Sequence, residues 1–265
     1  MPEQTPFLDE ELKRNFRFLV LEVIKQIGSS ARYLDGGAVD TEKLSSRDDY
    51  IDHLRTLIEN QCFAMLRRRK QIDKSTVDFL RSTMTVTTTL ERIADMAIGI
   101  VTQAKRLDPP DILSDYDFEP FFDIIFASLQ KVVEAHEAVD TTLAVQIADG
   151  ELELDELYAD RFRRIVDDVA TRGDEAPVLI SGLMIFSYLE RIGDSLQNIG
   201  EAIISADVGE RMKMRAYREL AGSLDKDASE QLDDVNFVGV WGTRSGAQIG
   251  KVEAPELADS GGQAI

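Results

Sequence analysis

The sequence predicts an all-α protein, with two tandem three-helix bundles followed by a mostly irregular C-terminal tail. Apolar residues recur with helical periodicity from Leu8 to about Met214, and no convincing strand-like alternation interrupts them. The segment Thr89–Asp95 matches Tyr188–Asp194 at an offset of 99 residues, which indicates two copies of one helical unit. From about Gly222 the composition shifts to Gly, Ser, Ala and Asp, which is typical of a flexible tail.

The first unit, residues 1–107, is predicted to contain three helices. The first is expected over Asp9–Leu34, because Gly36-Gly37 follows it and glycine readily adopts the left-handed conformation that ends helices. The second is expected over Ser46–Gln71 and the third over Ser75–Arg106, with a short turn between them.

A double proline, Pro109-Pro110, marks the boundary between the units, because adjacent prolines cannot continue a helix. The second unit is therefore assigned to residues 108–221 and the flexible Gly/Asp-rich tail to residues 222–265. Three helices are again expected in the second unit. They are Glu119–Ala148, Glu151–Thr171 and Pro177–Ile204.

Charge and composition argue against several classes of function. A net charge of −19 disfavours a nucleic-acid partner, because such binding depends on Lys and Arg neutralising phosphates. The single cysteine, Cys62, excludes an intrachain disulfide and fits a reducing compartment. The N-terminus lacks a basic region followed by an apolar run, so no signal peptide is expected. The longest uncharged apolar stretch, Pro177–Leu189, has 13 residues, too few to span a bilayer as a helix.

Four pairs of acidic residues give the strongest functional signal. The members of each pair are four residues apart, so their carboxylates lie on one helical face. The first two pairs are centred on the predicted turn near Gln71, and the second two on the turn at Arg172-Gly173. Antiparallel helices meeting at each turn would bring four carboxylates to one level, where their repulsion favours bound cations. The pairs are Asp48/Asp52, Glu91/Asp95, Glu151/Asp155 and Glu190/Asp194.

Parts of this pattern could also arise without any bound metal. Asp48 and Glu151 follow residues that can begin helices, so helix-start chemistry is an alternative reason for each. A solvated face is the alternative for any one pair. Oxygen ligands favour Mg²⁺, Ca²⁺, Mn²⁺ or ferric iron, since zinc and copper usually recruit His or Cys. Neither His53 nor His136 follows a Glu by three residues, so the Glu-x-x-His signature of di-iron oxidases is missing.

The segment Leu189-Glu190-Arg191-Ile192-Gly193-Asp194, continuing to Asn198 and Glu201, resembles the hallmark of the PhoU family of phosphate-uptake regulators. The segments 48–54 and 151–158 resemble the companion acidic motif on the preceding helix. The likeness covers residues from about 9 to 206, including the tandem repeat. Gly99 and Thr102 stand at the positions matching Asn198 and Glu201, so the first site is expected to bind metal more weakly.

This resemblance implies a pair of three-helix bundles whose acid pairs hold multinuclear metal clusters. The ligands would be the paired acids together with Asn198 and Glu201, and the metal would be iron, magnesium, manganese or zinc. The protein would be a cytoplasmic homodimer and not an enzyme. It would couple a phosphate transporter to a sensor histidine kinase, hold the starvation response off when phosphate is plentiful, and reach the membrane only through these partners.

Three alternatives stay open from the sequence. A carboxylate-bridged metal enzyme, either an oxidase or a hydrolase, is allowed by the acids, although His ligands and any Ser/His or Cys/His set are missing. A regulatory partner of a sodium-phosphate cotransporter is the second, since domains related to this family accompany such transporters. The third is a helical scaffold whose acids are simply solvated.

Overall fold

The computed structural model describes residues 10–68, 71–107 and 116–220, and within these ranges every regular element is helical. The predicted all-α fold of two three-helix units is therefore confirmed: α1 to α3 form the first, and in the second α4 and α5 together replace one helix. The predicted boundary at residue 108 and the tail at 222–265 lie outside the described residues. The helices of the two units are α1 (Glu10–Leu34), α2 (Thr41–Arg68), α3 (Lys74–Ala104), α4 (Glu119–Leu129), α5 (Val132–Ala138), α6 (Thr141–Thr171) and α7 (Ala176–Val208), and residues 214–220 are also helical.

Helix α2 begins five residues earlier than the sequence pattern predicts, at Thr41 instead of Ser46. The carboxylate of Asp40 accepts hydrogen bonds from the backbone N–H groups of Glu42 at 3.1 Å and Lys43 at 3.2 Å, which caps the helix there. Asp48 consequently lies well beyond the first turn of α2. The helix-start interpretation of this acid is wrong.

The helix predicted over Glu119–Ala148 is also wrong, because the chain turns twice within it and forms α4, α5 and the first part of α6. Val139 closes α5 in the left-handed conformation, with φ of 52°, which is rare for a β-branched residue. Asp140 then caps α6, where its side chain accepts hydrogen bonds from the backbone N–H groups of Thr142 at 2.8 Å and Leu143 at 3.0 Å.

Gly150 does not end a helix, as the sequence pattern suggests, but lies inside α6 where that helix passes close to α4. A Cβ atom at this position would come within 2.8 Å of Ser128 Oγ and 3.2 Å of Ile124 Cγ2. Glycine therefore permits close helix packing here. Glu151 lies in the middle of α6, so the helix-start interpretation is wrong for this acid too.

The hydrophobic core runs continuously through both units, with α3 and α7 at its centre. Leu90 and Ile93 of α3 are fully buried, as are Leu189 and Ile192 of α7. Among the described helices, Gly173–Val208 alone is long and apolar enough to cross a bilayer. Part of its apolar surface is buried in this core against α3 and α6, while Ile180 and Met184 are exposed. The pairing of α3 with α7 fixes the position of both acidic hairpins.

Candidate metal centres

The first acid set lies on the antiparallel hairpin of α2 and α3. Asp48 and Asp52 come from α2, and Glu91 and Asp95 come from α3. Burial and then the charge of Asp95 raise the pKa of Asp48, with smaller contributions from its neighbours on α2. The pKa of Glu91 is raised by burial, Asp95, Asp52 and Asp48 and is lowered by Arg55. The four predicted acids of this set are thus close enough to interact electrostatically.

The second acid set repeats this arrangement on α6 and α7. Glu151 and Asp155 belong to α6, and Glu190 and Asp194 belong to α7. Burial is the largest cause of the raised pKa of Glu151, followed by the charges of Asp155 and Asp194. The pKa of Glu190 is likewise raised by burial, then by Asp194, Asp155 and Glu151, and is lowered by Arg191. Neighbouring carboxylates of the set therefore disfavour the ionisation of Glu151, Asp155 and Glu190.

The repeat extends to the burial of each acid. One acid of every pair is half-buried and the other is exposed, in the same order in both sets. The exposed members form the solvent-facing side of each set. The half-buried acids are Asp48, Glu91, Glu151 and Glu190, and the exposed acids are Asp52, Asp95, Asp155 and Asp194.

An arginine distinguishes the first set from the second. Arg55 Nη2 lies 2.6 Å from Asp52 Oδ1, and Arg55 Nη1 lies 3.2 Å from Glu59 Oε2. The repeat places Tyr158 at the matching position of α6, so the second set has no internal arginine of this kind. Its Glu151 instead accepts a hydrogen bond from Gln197 Nε2 at 2.9 Å. Among the described residues no ion pair is formed with an acid of the second set, and Arg218 and Arg191 act on Glu151 and Glu190 only as nearby charges.

The donor chemistry fits hard cations, although the side chains are not gathered around a common point. Within the described parts of the chain, no group of three or more His, Cys, Asp or Glu side chains is placed closely enough to hold a metal ion. Four carboxylates in each set nevertheless provide the oxygen ligands that Mg²⁺, Mn²⁺ and ferric iron use. Rotation of the exposed acids towards the half-buried ones would be needed for them to share an ion.

Asn198 and Glu201 have other partners in this structure. Asn198 Nδ2 donates a hydrogen bond to the backbone oxygen of Asp194 at 2.8 Å. The buried Glu201 accepts hydrogen bonds from Lys213 Nζ at 2.9 Å and from the backbone N–H of Met214 at 2.9 Å. Glu201 thus anchors the chain that follows α7 instead of joining the second acid set. Its predicted role as a metal ligand has no support in this arrangement of side chains, and that of Asn198 stays a prediction.

The soft candidate ligands lie apart from both acid sets. Cys62 is buried, and burial raises the pKa of its thiol to about 12. His136 is fully buried, and desolvation lowers its pKa to about 4. The ring of His136 stacks on Phe16 with a centroid distance of 4.3 Å, and its Nε2 lies 3.1 Å from Thr83 Oγ1. Both residues are therefore packing residues of the core.

The PhoU domain family model matches the chain twice, at residues 18–104 and 120–203. The two matches cover more than half of the 265 residues. This chain belongs to the PhoU domain family. Each PhoU match coincides with one three-helix unit, and together the two matches contain all of the paired acids.

Individual PhoU proteins resemble the chain over most of its described length. A curated relative from Clostridium acetobutylicum, a phosphate-specific transport system accessory protein PhoU homolog, is 23% identical over 176 residues, 65% of this chain and 80% of that protein. The crystal structure of PhoU from Pseudomonas aeruginosa has a TM-score of 0.65 at 20% identity, covering 74% of this chain and 95% of that one. The phosphate transport system regulatory protein PhoU from Streptococcus pneumoniae has a TM-score of 0.65 at 21% identity, with 77% and 97% covered. The two structures show that the fold is shared.

Proposed function

We propose that this protein is an accessory regulator of a phosphate transport system and that it works through metal ions bound at its two acid sets. Membership of the PhoU family, and the accessory role of the Clostridium acetobutylicum relative in phosphate-specific transport, support the first part. The observation that carries the second part is the gathering of four acids on each hairpin, where burial and then the charges of the neighbouring acids raise the pKa of Glu91 and of Glu190. Repulsion of this kind is relieved when a cation binds.

Bound cations would hold each hairpin together. One hairpin joins α2 to α3 and the other joins α6 to α7, so a metal shared by both helices of a hairpin would stabilise the folded state. Iron, magnesium, manganese and zinc are the candidates, and oxygen ligation favours the first three over zinc. The second set would bind more tightly, because Arg55 compensates part of the charge of the first.

The regulatory part of the proposal concerns protein partners. We infer that the chain acts in the cytoplasm as a homodimeric adaptor, which contacts a phosphate transporter subunit and a sensor histidine kinase and does not itself catalyse a reaction. Association with the membrane would then be peripheral and would depend on the transporter. Co-purification of the full chain with each candidate partner from the same cell tests this adaptor role. Failure with every transporter and kinase candidate would contradict it.

Metal content is the test of the metal-binding part. We expect protein purified without chelator to carry divalent or ferric metal, measured by elemental analysis per chain. The double substitution Glu190→Ala with Asp194→Ala should remove the metal of the second set while circular dichroism stays helical. A matched control is Glu153→Ala with Glu156→Ala, because these exposed acids lie on α6 outside the set. Equal metal content in all three proteins would contradict the proposal, and oxygen or phosphate-ester turnover dependent on Glu190 would favour an enzyme.

A further inference from the structure

A groove runs between α3 and α7 on the surface where the two units meet, with a volume of about 540 Å³. Thr85, Thr88 and Thr89 of α3 line one wall, and Asn198 and Ala202 of α7 line the other. A groove of this volume falls within the range of small-molecule sites. Neither acid set contributes a carboxylate to its lining.

The groove arises from a difference between the two repeats. Across the antiparallel pairing of α3 and α7, Tyr188 packs so closely on Gly99 that a Cβ there would lie 2.6 Å from the tyrosine ring. The offset of 99 residues relates Tyr188 to Thr89 and Gly99 to Asn198, which face each other on the other side of the same pairing. The small Thr89 cannot fill the space that Tyr188 fills, so this side stays open.

Three arginines give the groove a positive charge on a protein whose net charge is −19. Within the described part of the chain, the guanidinium groups of Arg92 and Arg211 form no ion pair or hydrogen bond. Arg81 is paired with Asp78, with 3.3 Å between Nη2 and Oδ1. The one acid that lines the groove, Glu201, is paired with Lys213 at 2.9 Å. Arginine is the side chain best suited to bind phosphoryl oxygens, because its planar guanidinium donates two parallel hydrogen bonds.

A buried hydroxyl in the groove has no partner. Ser82 is 3% exposed and lines the groove, and its Oγ forms no hydrogen bond with any described residue. An unsatisfied buried hydroxyl is costly, and an oxygen of a bound ligand would satisfy it. The hydroxyls of Thr85 and Thr89 already donate to backbone carbonyls at 3.0 Å and 2.8 Å. Of these three hydroxyls, that of Ser82 alone has no hydrogen-bond partner among the described residues.

We infer that this groove binds a phosphoryl oxyanion, either as inorganic phosphate or as the phosphate of a small organic monoester. Arg92, Arg211 and Arg81 would supply the charge, and Ser82 would donate a hydrogen bond to the anion. The apolar side chains of Met84 and Met212 line the same groove and would contact the organic part of a larger ligand. This site goes beyond the proposed metal-dependent regulation, because it uses none of the paired acids.

Calorimetric titration of the full chain with inorganic phosphate, and separately with adenosine monophosphate, tests the inference. The protein is kept metal-free with chelator, so that phosphate cannot bind through a metal at the acid sets. We expect saturable binding of at least one of the two ligands, with adenosine monophosphate favoured if the organic part is recognised. The absence of binding by both ligands would overturn the inference.

Variants with a matched control make the test specific to the groove. Arg92→Ala should lower the affinity roughly tenfold or more, since it removes a charge-assisted hydrogen bond. Arg191→Ala removes the exposed arginine at the repeat-related position outside the groove, and it should leave the affinity unchanged. An equal loss in both variants would indicate a general charge effect and would overturn the assignment.

A third variant closes the groove while keeping its arginines. Thr89→Tyr combined with Asn198→Gly recreates the packing of Tyr188 on Gly99, and we expect it to fold and to lose anion binding. Wild-type affinity in a folded double variant would overturn the inference; if the variant does not fold, Arg92→Ala decides alone. Glu190→Ala with Asp194→Ala should keep anion binding, so failure of the metal proposal and failure of this one are distinguishable.

Discussion

At the scale of single residues, Glu190 shows most clearly how burial and neighbouring charges act on an acid of the second set. Its pKa is raised because it is half-buried and because Asp194, Asp155 and Glu151 are negative. A carboxylate with a raised pKa in the folded state destabilises that state at neutral pH, where it must stay ionised. A cation would reverse this effect. Neutralising Glu190 should therefore act in opposite directions with and without metal.

Glu190→Gln should raise the melting temperature of the chelated protein, by about 1–2 °C for relief of roughly 0.5 kcal/mol of repulsion. The same variant should lose the part of the metal stabilisation that the second set gives, which is about 2.7 kcal/mol at a concentration 100 times the Kd of that set. Differential scanning calorimetry with chelator and with Mn²⁺ measures both effects. Glu156→Gln, at an exposed position of α6, is the control that should change little. A metal-dependent rise in Tm that is as large in Glu190→Gln as in wild type would count against the assignment of this acid.

His136 makes a second prediction at the residue scale, concerning pH. Thr83 Oγ1 has one proton and donates it to the backbone oxygen of Phe79 at 2.9 Å, so His136 Nε2 carries the proton that bonds to Thr83. Nδ1 is unprotonated and has no hydrogen-bond partner in the described structure. Protonation of the ring would place a charge in the core, which is why its pKa is lowered to about 4.

The lowered pKa of His136 fixes the sign of its effect on stability. As pH falls below about 6.5, the unfolded chain takes up the proton first, so this contribution to stability is lost between about pH 6.5 and pH 4. The destabilisation caused by His136→Leu should therefore be smaller at pH 5 than at pH 7, by about 2 kcal/mol. Urea unfolding of wild type and His136→Leu at the two pH values measures this difference. Both proteins contain the acid sets, so the contribution of those acids to the pH dependence of stability cancels. If His136→Leu destabilised the protein equally at pH 5 and at pH 7, the histidine would not titrate in this way.

At the scale of helices, the comparison of α2 with α6 shows why the two acid sets should differ. Arg55 on α2 pairs with Asp52, whereas the matching residue of α6 is Tyr158. Arg55→Tyr should therefore tighten metal binding at the first set, and Tyr158→Arg should weaken it at the second. Each change in affinity should be roughly tenfold, which corresponds to about 1.4 kcal/mol of interaction between the arginine charge and the bound metal. Mn²⁺ titration followed by electron paramagnetic resonance measures the affinities. Unchanged affinities in both variants would show that this arginine does not control metal binding.

The approach of α6 to α7 depends on Gly200. A Cβ atom at this position would lie 2.5 Å from the backbone oxygen of Ala144 and 2.9 Å from the Cβ of Ala148. Gly200→Ala should lower the free energy of unfolding by about 1–3 kcal/mol, even though alanine favours helices. Chemical denaturation measures the change. Gly173→Ala is a suitable control, because nothing lies within 4 Å of a Cβ atom at that position. If Gly173→Ala lost as much stability as Gly200→Ala, the packing argument would be contradicted.

Helix boundaries show what local sequence patterns can and cannot predict. The long helices α1, α3 and α7 follow from apolar periodicity, and α7 extends only to Val208 beyond the predicted Ile204. The break before α6 escapes the pattern because its residues, Val139 above all, carry no glycine or proline signal. Gly150 misleads because a glycine that permits helix packing and a glycine that ends a helix look identical in sequence. Tertiary packing decides between these two roles.

At the scale of the whole molecule, the duplication organises both candidate sites. The eight paired acids can be found from the sequence, because their spacing along a helix and their distance from a turn can both be counted in residue numbers. The pairing of Arg55 with Asp52 is not predicted, although their spacing of three residues is visible, because side-chain orientation chooses the partner. The groove between α3 and α7 cannot be found from the sequence, since Thr89 and Asn198 meet only when the two repeats pack together.

Anomalous diffraction from crystals of the full chain grown with Mn²⁺ tests the central claim most directly. We expect a peak between α6 and α7 beside Glu190 and Asp194, and a weaker peak between α2 and α3 beside Glu91 and Asp95. The second-set peak should vanish in Glu190→Ala with Asp194→Ala, while the peak at the first set remains. A map without significant density at either set, from crystals containing millimolar Mn²⁺, would contradict the claim that these carboxylates bind metal.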